Sequence, residues 1–200
     1  MDEITNRAEL CGTVAEAPVF SHESRGIRFY SFPFTACRLS GAADTVNILV
    51  RESLLLSVSP QAGDRLRIAG QLRSFNNKSG VGARLVITIY AQELYPAACE
   101  EDENLVELIG TICKPPILRR TPLGREICDI ILAVPRRYSR SDYIPVITWG
   151  NQAHDAALCP VGQRMAVKGR IQSRSYTKLI DGIPMERTAF ELSAAEVEFI

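Results

Sequence analysis

Apolar and polar positions alternate with a period of two along much of this chain, the pattern of strands with one buried face. In the second half, Leu105 to Ile112 alternates, Ile127 to Val134 is a dense apolar run, and Tyr143 to Trp149 alternates. Arg164 to Gln172 and Thr188 to Phe199 alternate again, which gives five expected strands. Between the third and fourth, Asn151-Gln-Ala-His-Asp-Ala-Ala-Leu158 is rich in alanine and is closed by Pro160 and Gly162, so a short helix is predicted there. Gly110 and Gly169 fall inside strand patterns, where a bulge or a sharp bend is the usual reason for glycine.

The same unit is written twice. Asn6-Arg-Ala-Glu-Leu-Cys-Gly-Thr-Val-Ala-Glu-Ala-Pro18 matches Asn104-Leu-Val-Glu-Leu-Ile-Gly-Thr-Ile-Cys-Lys-Pro-Pro116, and the same offset pairs Gly26 with Gly124 and Arg38 with Arg136. One residue later in register, Gly63 to Ser74 matches Gly162 to Ser173, and near the ends Ala91-Gln-Glu-Leu94 matches Ala194-Ala-Glu-Val197. Five strands with one helix between the third and fourth is the order of the OB-fold, a partly open barrel. The expected architecture is therefore all-β, two tandem five-stranded OB-fold barrels, each with a short helix between strands 3 and 4. The expected domains are 1–96, an acidic linker at 97–103, and 104–200.

Composition sets limits. Hydrophobic residues make up 46% and charged residues 23%, which fits a globular chain with a core. No run approaches a membrane span, and Met1-Asp-Glu-Ile-Thr-Asn-Arg lacks the basic-then-apolar order of a signal peptide, so a cytoplasmic protein is expected. Six cysteines with no C-x-x-C pair, and only His22 and His154 beside them, give no metal site. The cysteines read instead as small buried residues or free thiols. No P-loop, triad or two-metal carboxylate cluster is present, so no catalytic residue and no cofactor is expected.

The net charge of zero hides an uneven distribution. Acid gathers at Glu100, Glu101, Asp102, Glu103 and Glu107, whereas Lys114 to Arg140 and Arg164 to Lys178 are strongly basic. The second half thus carries a cationic surface suited to a nucleic acid.

Residues 104–200 resemble the bacterial single-stranded-DNA-binding proteins, in the tandem OB-fold form. Four segments carry the resemblance: Asn104 to Pro116, Leu132-Ala-Val134, Ile144-Pro-Val-Ile-Thr-Trp-Gly-Asn-Gln-Ala153, and Gly162 to Tyr176. The ending, Thr188 to Ile200, is similar to the family's last strand. The resemblance implies aromatic stacking residues at Tyr138, Tyr143, Trp149 and Tyr176, three of them tyrosine where tryptophan is familiar. Around them, Arg136, Arg137, Lys168, Arg170, Arg174 and Lys178 are the candidate phosphate contacts, with Arg140 beside them. Independently of the family, Tyr143 and Trp149 are six positions apart and share one face of an extended strand. Competing readings are that Trp149 fills the barrel interior and that the cations form a solvated face.

The first copy carries Ser40, Asp44, Val50 and Asn77 at the places taken as equivalent to the four aromatics. Its alternating Tyr30, Phe32 and Phe34 read as core, and Arg65, Arg67, Arg73, Lys78 and Arg84 leave it a weaker electrostatic role. The leading expectation is non-enzymatic, sequence-independent binding of single-stranded DNA in replication, recombination or repair, with RNA as a lesser alternative ligand. The rival is a protein-interaction or primosomal accessory module. Two folds per chain suggest a homodimer with four barrels, and the stop at Ile200 suggests no acidic C-terminal tail for recruiting replication proteins.

Overall fold

The computed structural model describes residues 5–77, 85–97, 101–180 and 183–200. Lys78 and Arg84 lie outside the described residues, and so does the side chain of Lys178. The chain divides into two compact units, one of residues 1–73 and 88–107, the other of residues 74–87 and 108–200.

The first unit is built from β1 (Asn6–Val14), β2 (Val19–Ser24), β3 (Ile27–Cys37), β4 (Ala43–Arg51), α1 (Glu52–Val58), and most of β5 (Arg65–Asn76) and β6 (Leu85–Pro96). Its strands follow the order β2-β3-β4-β6-β5-β1, and β3 pairs back to β1 through Thr13↔Thr35 and Val14↔Phe34, which closes a five-stranded circuit. The inward positions, Leu10, Phe32, Phe34, Ile48, Leu66, Ile68 and Ile89, are all buried. Phe32 and Phe34 are core, as their alternation predicts, but Tyr30 at the strand's mouth is half-buried and donates its hydroxyl to Glu52 Oε1 at 3.1 Å.

The second unit repeats the plan with the latter half of β7 (Glu103–Ile112), β8 (Ile117–Arg120), β9 (Glu126–Arg136), β10 (Arg140–Trp149), α2 (Asn151–Ala157), β11 (Arg164–Ile180) and β12 (Ile183–Phe199). The circuit runs β7-β11-β12-β10-β9 and returns to β7 through Thr111↔Ala133 and Ile112↔Leu132. β10 and β12 pair in parallel, while β9–β10 and β11–β12 are antiparallel. Leu108, Ile112, Ile130, Leu132, Ile144, Val146, Met165 and Leu192 fill the interior, and α2 seats Ala153 and Ala156 against it. A short strand, β8, pairs with β9 outside the circuit and is exposed throughout, which left no alternation in the sequence to reveal it.

Two devices recur in both barrels. A Cβ on Gly12 would overlap the carbonyl oxygen of Thr35, and one on Gly70 that of Tyr90. Gly110 and Gly169 meet the carbonyls of Ala133 and Ser193 in the same way. These glycines let one strand cross tightly over another where the barrel closes. Gly169 coincides with a register shift, next to Lys168, so the expected bulge applies there, while Gly110 is held by its close approach to the Ala133 carbonyl. The second device is an arginine over a buried carboxylate: Arg38 Nε and Nη2 donate to Asp44 at 2.6 and 2.5 Å, and Arg136 Nη1 lies 3.3 Å from Asp142 Oδ1.

The cysteines need one correction. Cys37, Cys113, Cys128 and Cys159 are free thiols, and burial pushes the Cys128 thiol up to about 11. Cys11, by contrast, is disulfide-bonded. It is buried in β1, as one of the two readings of the cysteines expects, but it is not a free thiol.

Candidate nucleic-acid interface

The barrel of the second unit has an inner and an outer face, and strand register decides which residues meet on each. Along β10, Asp142, Ile144, Val146 and Thr148 point inward and are buried, so Tyr143 and Trp149 point outward. The parallel pair Ile147↔Ser193 transfers that face to β12, and Ser193↔Arg170, Ala189↔Arg174 and Arg187↔Tyr176 carry it on to β11. Tyr143, Trp149, Arg170, Arg174 and Tyr176 therefore lie on one outer face of the barrel. Lys168 has the same parity in β11, and Lys178 has its register place opposite Met185.

Trp149 does not fill the interior. It is half-buried on the outer face, and its Nε1 donates to Ser193 Oγ at 3.1 Å. Beside it, Arg120, Gly124, Arg125, Glu126 and Gly150 line a shallow hollow. Glu126 joins two neighbours there, accepting from Arg120 Nη2 at 3.0 Å and meeting His154 Nε2 at 2.8 Å. The bond to His154, and then that to Arg120, holds the Glu126 carboxyl below its ordinary range.

Tyr176 is expected at the start of the hairpin that follows the fourth strand, among polar neighbours. It lies within that hairpin, whose strands β11 and β12 stay paired past it, opposite Arg187, and the Arg174 guanidinium carbon lies 5.8 Å from its ring centroid. Arg174 Nε is 3.8 Å from Glu191 Oε1, and Gln172 Nε2 donates to that same oxygen at 2.8 Å. The result is a ring, a guanidinium and a buried carboxylate in sequence along two paired strands.

Tyr138 stands on the turn between β9 and β10. It is 92% exposed and adopts a φ of 62°, followed by Ser139 at 52°, the left-handed pair that a tight hairpin requires. Tyr143 is 51% exposed, with its backbone N–H donated to Ser74 Oγ at 2.7 Å, while the Ser74 N–H donates to Asp142.

The candidate cations divide by what already holds them. Arg136 is committed to Asp142, whose side chain is fully buried, and Lys168 lies 3.9 Å from Glu196. Arg137 and Arg140 are exposed with no ion-pair partner among the described residues. Arg125 has the same character at the Trp149 hollow. Sequence reasoning did not single out Arg120 and Arg125, although the signal was present: both flank Thr121-Pro-Leu-Gly124, a turn sequence that the repeat pairs with Gly26.

The register also corrects the comparison between copies. Ala133↔Tyr143 corresponds to Thr35↔Thr45, and Ile127↔Trp149 to Phe29↔Arg51. The first-unit counterparts of Tyr143 and Trp149 are thus Thr45 and Arg51, one residue beyond the Asp44 and Val50 inferred from sequence. Asp44 is instead the counterpart of the buried Asp142.

A family model described as the single-strand binding protein family matches residues 103–200. Among curated proteins, single-stranded DNA-binding protein 3 of Clostridium acetobutylicum is 40% identical over 104 residues, covering 48% of this chain and 70% of that protein. The single-stranded DNA-binding protein of Clostridium tetani gives the same identity and coverage. The crystal structure of the wild-type single-stranded DNA binding protein from Thermus aquaticus superposes over 98% of this chain and 92% of that one, with a TM-score of 0.79 at 18% identity. That likeness concerns the fold, and it spans both copies of the repeat.

Proposed function

The chain belongs to the single-strand binding protein family, and from that premise we propose that it binds single-stranded DNA without regard to sequence through the outer face of its second barrel. The observation that carries this reading is the shared face of Tyr143, Trp149, Arg170, Arg174 and Tyr176. A strand of unpaired bases needs aromatic faces for stacking and cations that follow the backbone. Trp149 and Tyr176 supply rings at separated points, each beside an arginine, and Tyr143 and Tyr138 supply exposed rings on and near β10. Arg137, Arg140 and Arg125 have charge to spare for phosphates. Arginine suits the task because its guanidinium pairs with phosphate and also stacks on a base. The role is binding, with no chemical step assigned to any residue. Two barrels per chain support a homodimer with four folds, which sedimentation would report as twice the 22.1 kDa chain mass.

The test compares variants in the two units by anisotropy of labelled oligo-dT. Trp149→Ala and Tyr176→Ala should each weaken binding by about 1–3 kcal/mol, the stacking energy of one base, whereas Asn77→Ala should change little. Equal losses from all three would place the site elsewhere.

A further inference from the structure

The first unit lacks rings at all four aromatic places of the second, where it has Ser40, Thr45, Arg51 and Asn77, yet its outer face is not bare. His22 on β2 pairs with Phe29 on β3, and their rings stack with centroids 4.9 Å apart and planes 10° from parallel. Phe29 pairs in turn with Arg51 on β4, and its centroid is 6.5 Å from that of Tyr90 on β6. The Arg51 guanidinium carbon lies 5.8 Å from the Tyr90 ring centroid.

The register makes this arrangement more than a surface accident. Leu49↔Tyr90 in the first unit corresponds to Ile147↔Ser193 in the second, so Arg51 and Tyr90 hold the places of Trp149 and Ser193. Ring and polar partner have exchanged strands. Where the second unit sets an indole against a hydroxyl, the first sets a guanidinium on a phenol. The chemistry of the pair survives the exchange: one flat ring and one hydrogen-bond donor at the same point of the barrel.

We propose that His22, Phe29, Arg51 and Tyr90 form a second binding site for single-stranded nucleic acid on the first unit. Exposed His22 ends the His22–Phe29 stack, so a base can extend it on the open side. Arg51 is exposed and has no ion-pair partner among the described residues, which leaves its charge for a phosphate. When Arg51 turns to a phosphate, the Tyr90 face it covers opens to a base. Ser53, Ser57 and Gln92 line the hollow beside Arg51 and Tyr90 with hydrogen-bonding groups, which suits a nucleotide better than an apolar protein segment. Arg28 stands apart, because Glu52 holds it at 2.7 Å between the Phe20 and Tyr30 rings. The proposal borrows only the class of ligand from the reading of the second unit, since its residues are different.

The single tryptophan allows each unit to report separately. In a Trp149→Phe, Phe29→Trp double variant, the only indole lies in the first unit. The probe is oligo-dT of about 35 nucleotides, longer than two folds require at about 4–16 nucleotides per fold. Quenching of the new indole on titration is the expected result, with the effect shrinking as salt rises. If the double variant does not fold, His22→Trp in the Trp149→Phe background provides an exposed reporter instead. Saturated binding with unchanged emission from the first-unit indole would overturn the proposal while leaving the second-unit site intact if Trp149 of the parent protein is quenched. Loss of both signals would remove both sites. Arg51→Glu in the otherwise unaltered chain should weaken binding of the same oligonucleotide by at least about five-fold. Unchanged affinity in that variant would also overturn the proposal.

Discussion

Arg136 illustrates how one residue can answer to two pressures. Its place in Arg136-Arg-Tyr138 marked it as a phosphate contact, but its guanidinium is drawn to Asp142, a carboxylate with no exposed surface. A buried charge that loses a partner is costly, so Arg136→Ala should destabilise the fold by about 1.5–3 kcal/mol. Urea denaturation would measure it, and Arg38→Ala, which strips the equivalent Asp44 of its arginine, should act in the same direction. Unaltered midpoints in both would mean that other groups satisfy these carboxylates. Arg137, one position along and exposed, should show the converse: normal stability and weaker oligonucleotide binding.

At the scale of elements, the glycine crossings account for residues that alternation alone cannot. Gly169 has an ordinary strand conformation, so its requirement comes from the Ser193 carbonyl that passes over it. Gly169→Ala should therefore destabilise by about 1–3 kcal/mol through overpacking and local shift of β12, read as a lower melting temperature. A melting temperature equal to the parent's would show that the crossing has slack.

The same scale explains what the sequence disclosed. Strands that line the core announced themselves, because half-burial forces the period of two seen in Tyr143 to Trp149. β11 was cut short at Gln172 because its continuation, Ser173-Arg-Ser-Tyr-Thr177, pairs fully with β12 but buries little, so no apolar rhythm marks it. β8 was missed for the same reason. The shared face of Tyr143 and Trp149 was legible from spacing alone. Their counterparts in the first copy were misplaced by one residue, because sequence identity fixes glycines and caps but not hairpin register, and one step in register exchanges inner for outer faces. That step hid Arg51, and with it the exchange of Trp149 and Ser193 for Arg51 and Tyr90.

Across the whole molecule, the balanced net charge is unevenly spread, with some cations paired locally and others left exposed. In the first unit, Arg65 and Arg67 lie 2.6 Å from Asp102 and Glu103, so the acidic segment neutralises cations that would otherwise face solvent. Burial raises the Asp102 pKa, but hydrogen bonds from the Cys37 N–H and from Arg65 outweigh it and hold the carboxyl below its usual 3.8. A depressed carboxylate stabilises the fold above its unfolded pKa, and that contribution is lost as pH falls through the lower folded value. Asp102→Asn should thus melt lower than the parent at neutral pH, with the gap closing below pH 3.8. A gap that persists unchanged in acid would assign the effect to something other than charge.

The central claim is that the outer face of the second barrel holds unpaired bases against Trp149, and the chain's only tryptophan reports on it directly. Intrinsic fluorescence should be quenched to saturation by oligo-dT at low salt. The logarithm of the binding constant should then fall linearly with the logarithm of salt concentration, with a slope of about −0.7 for each phosphate contact. Binding of the oligonucleotide with no change in Trp149 emission, or no binding at low salt, would contradict the account.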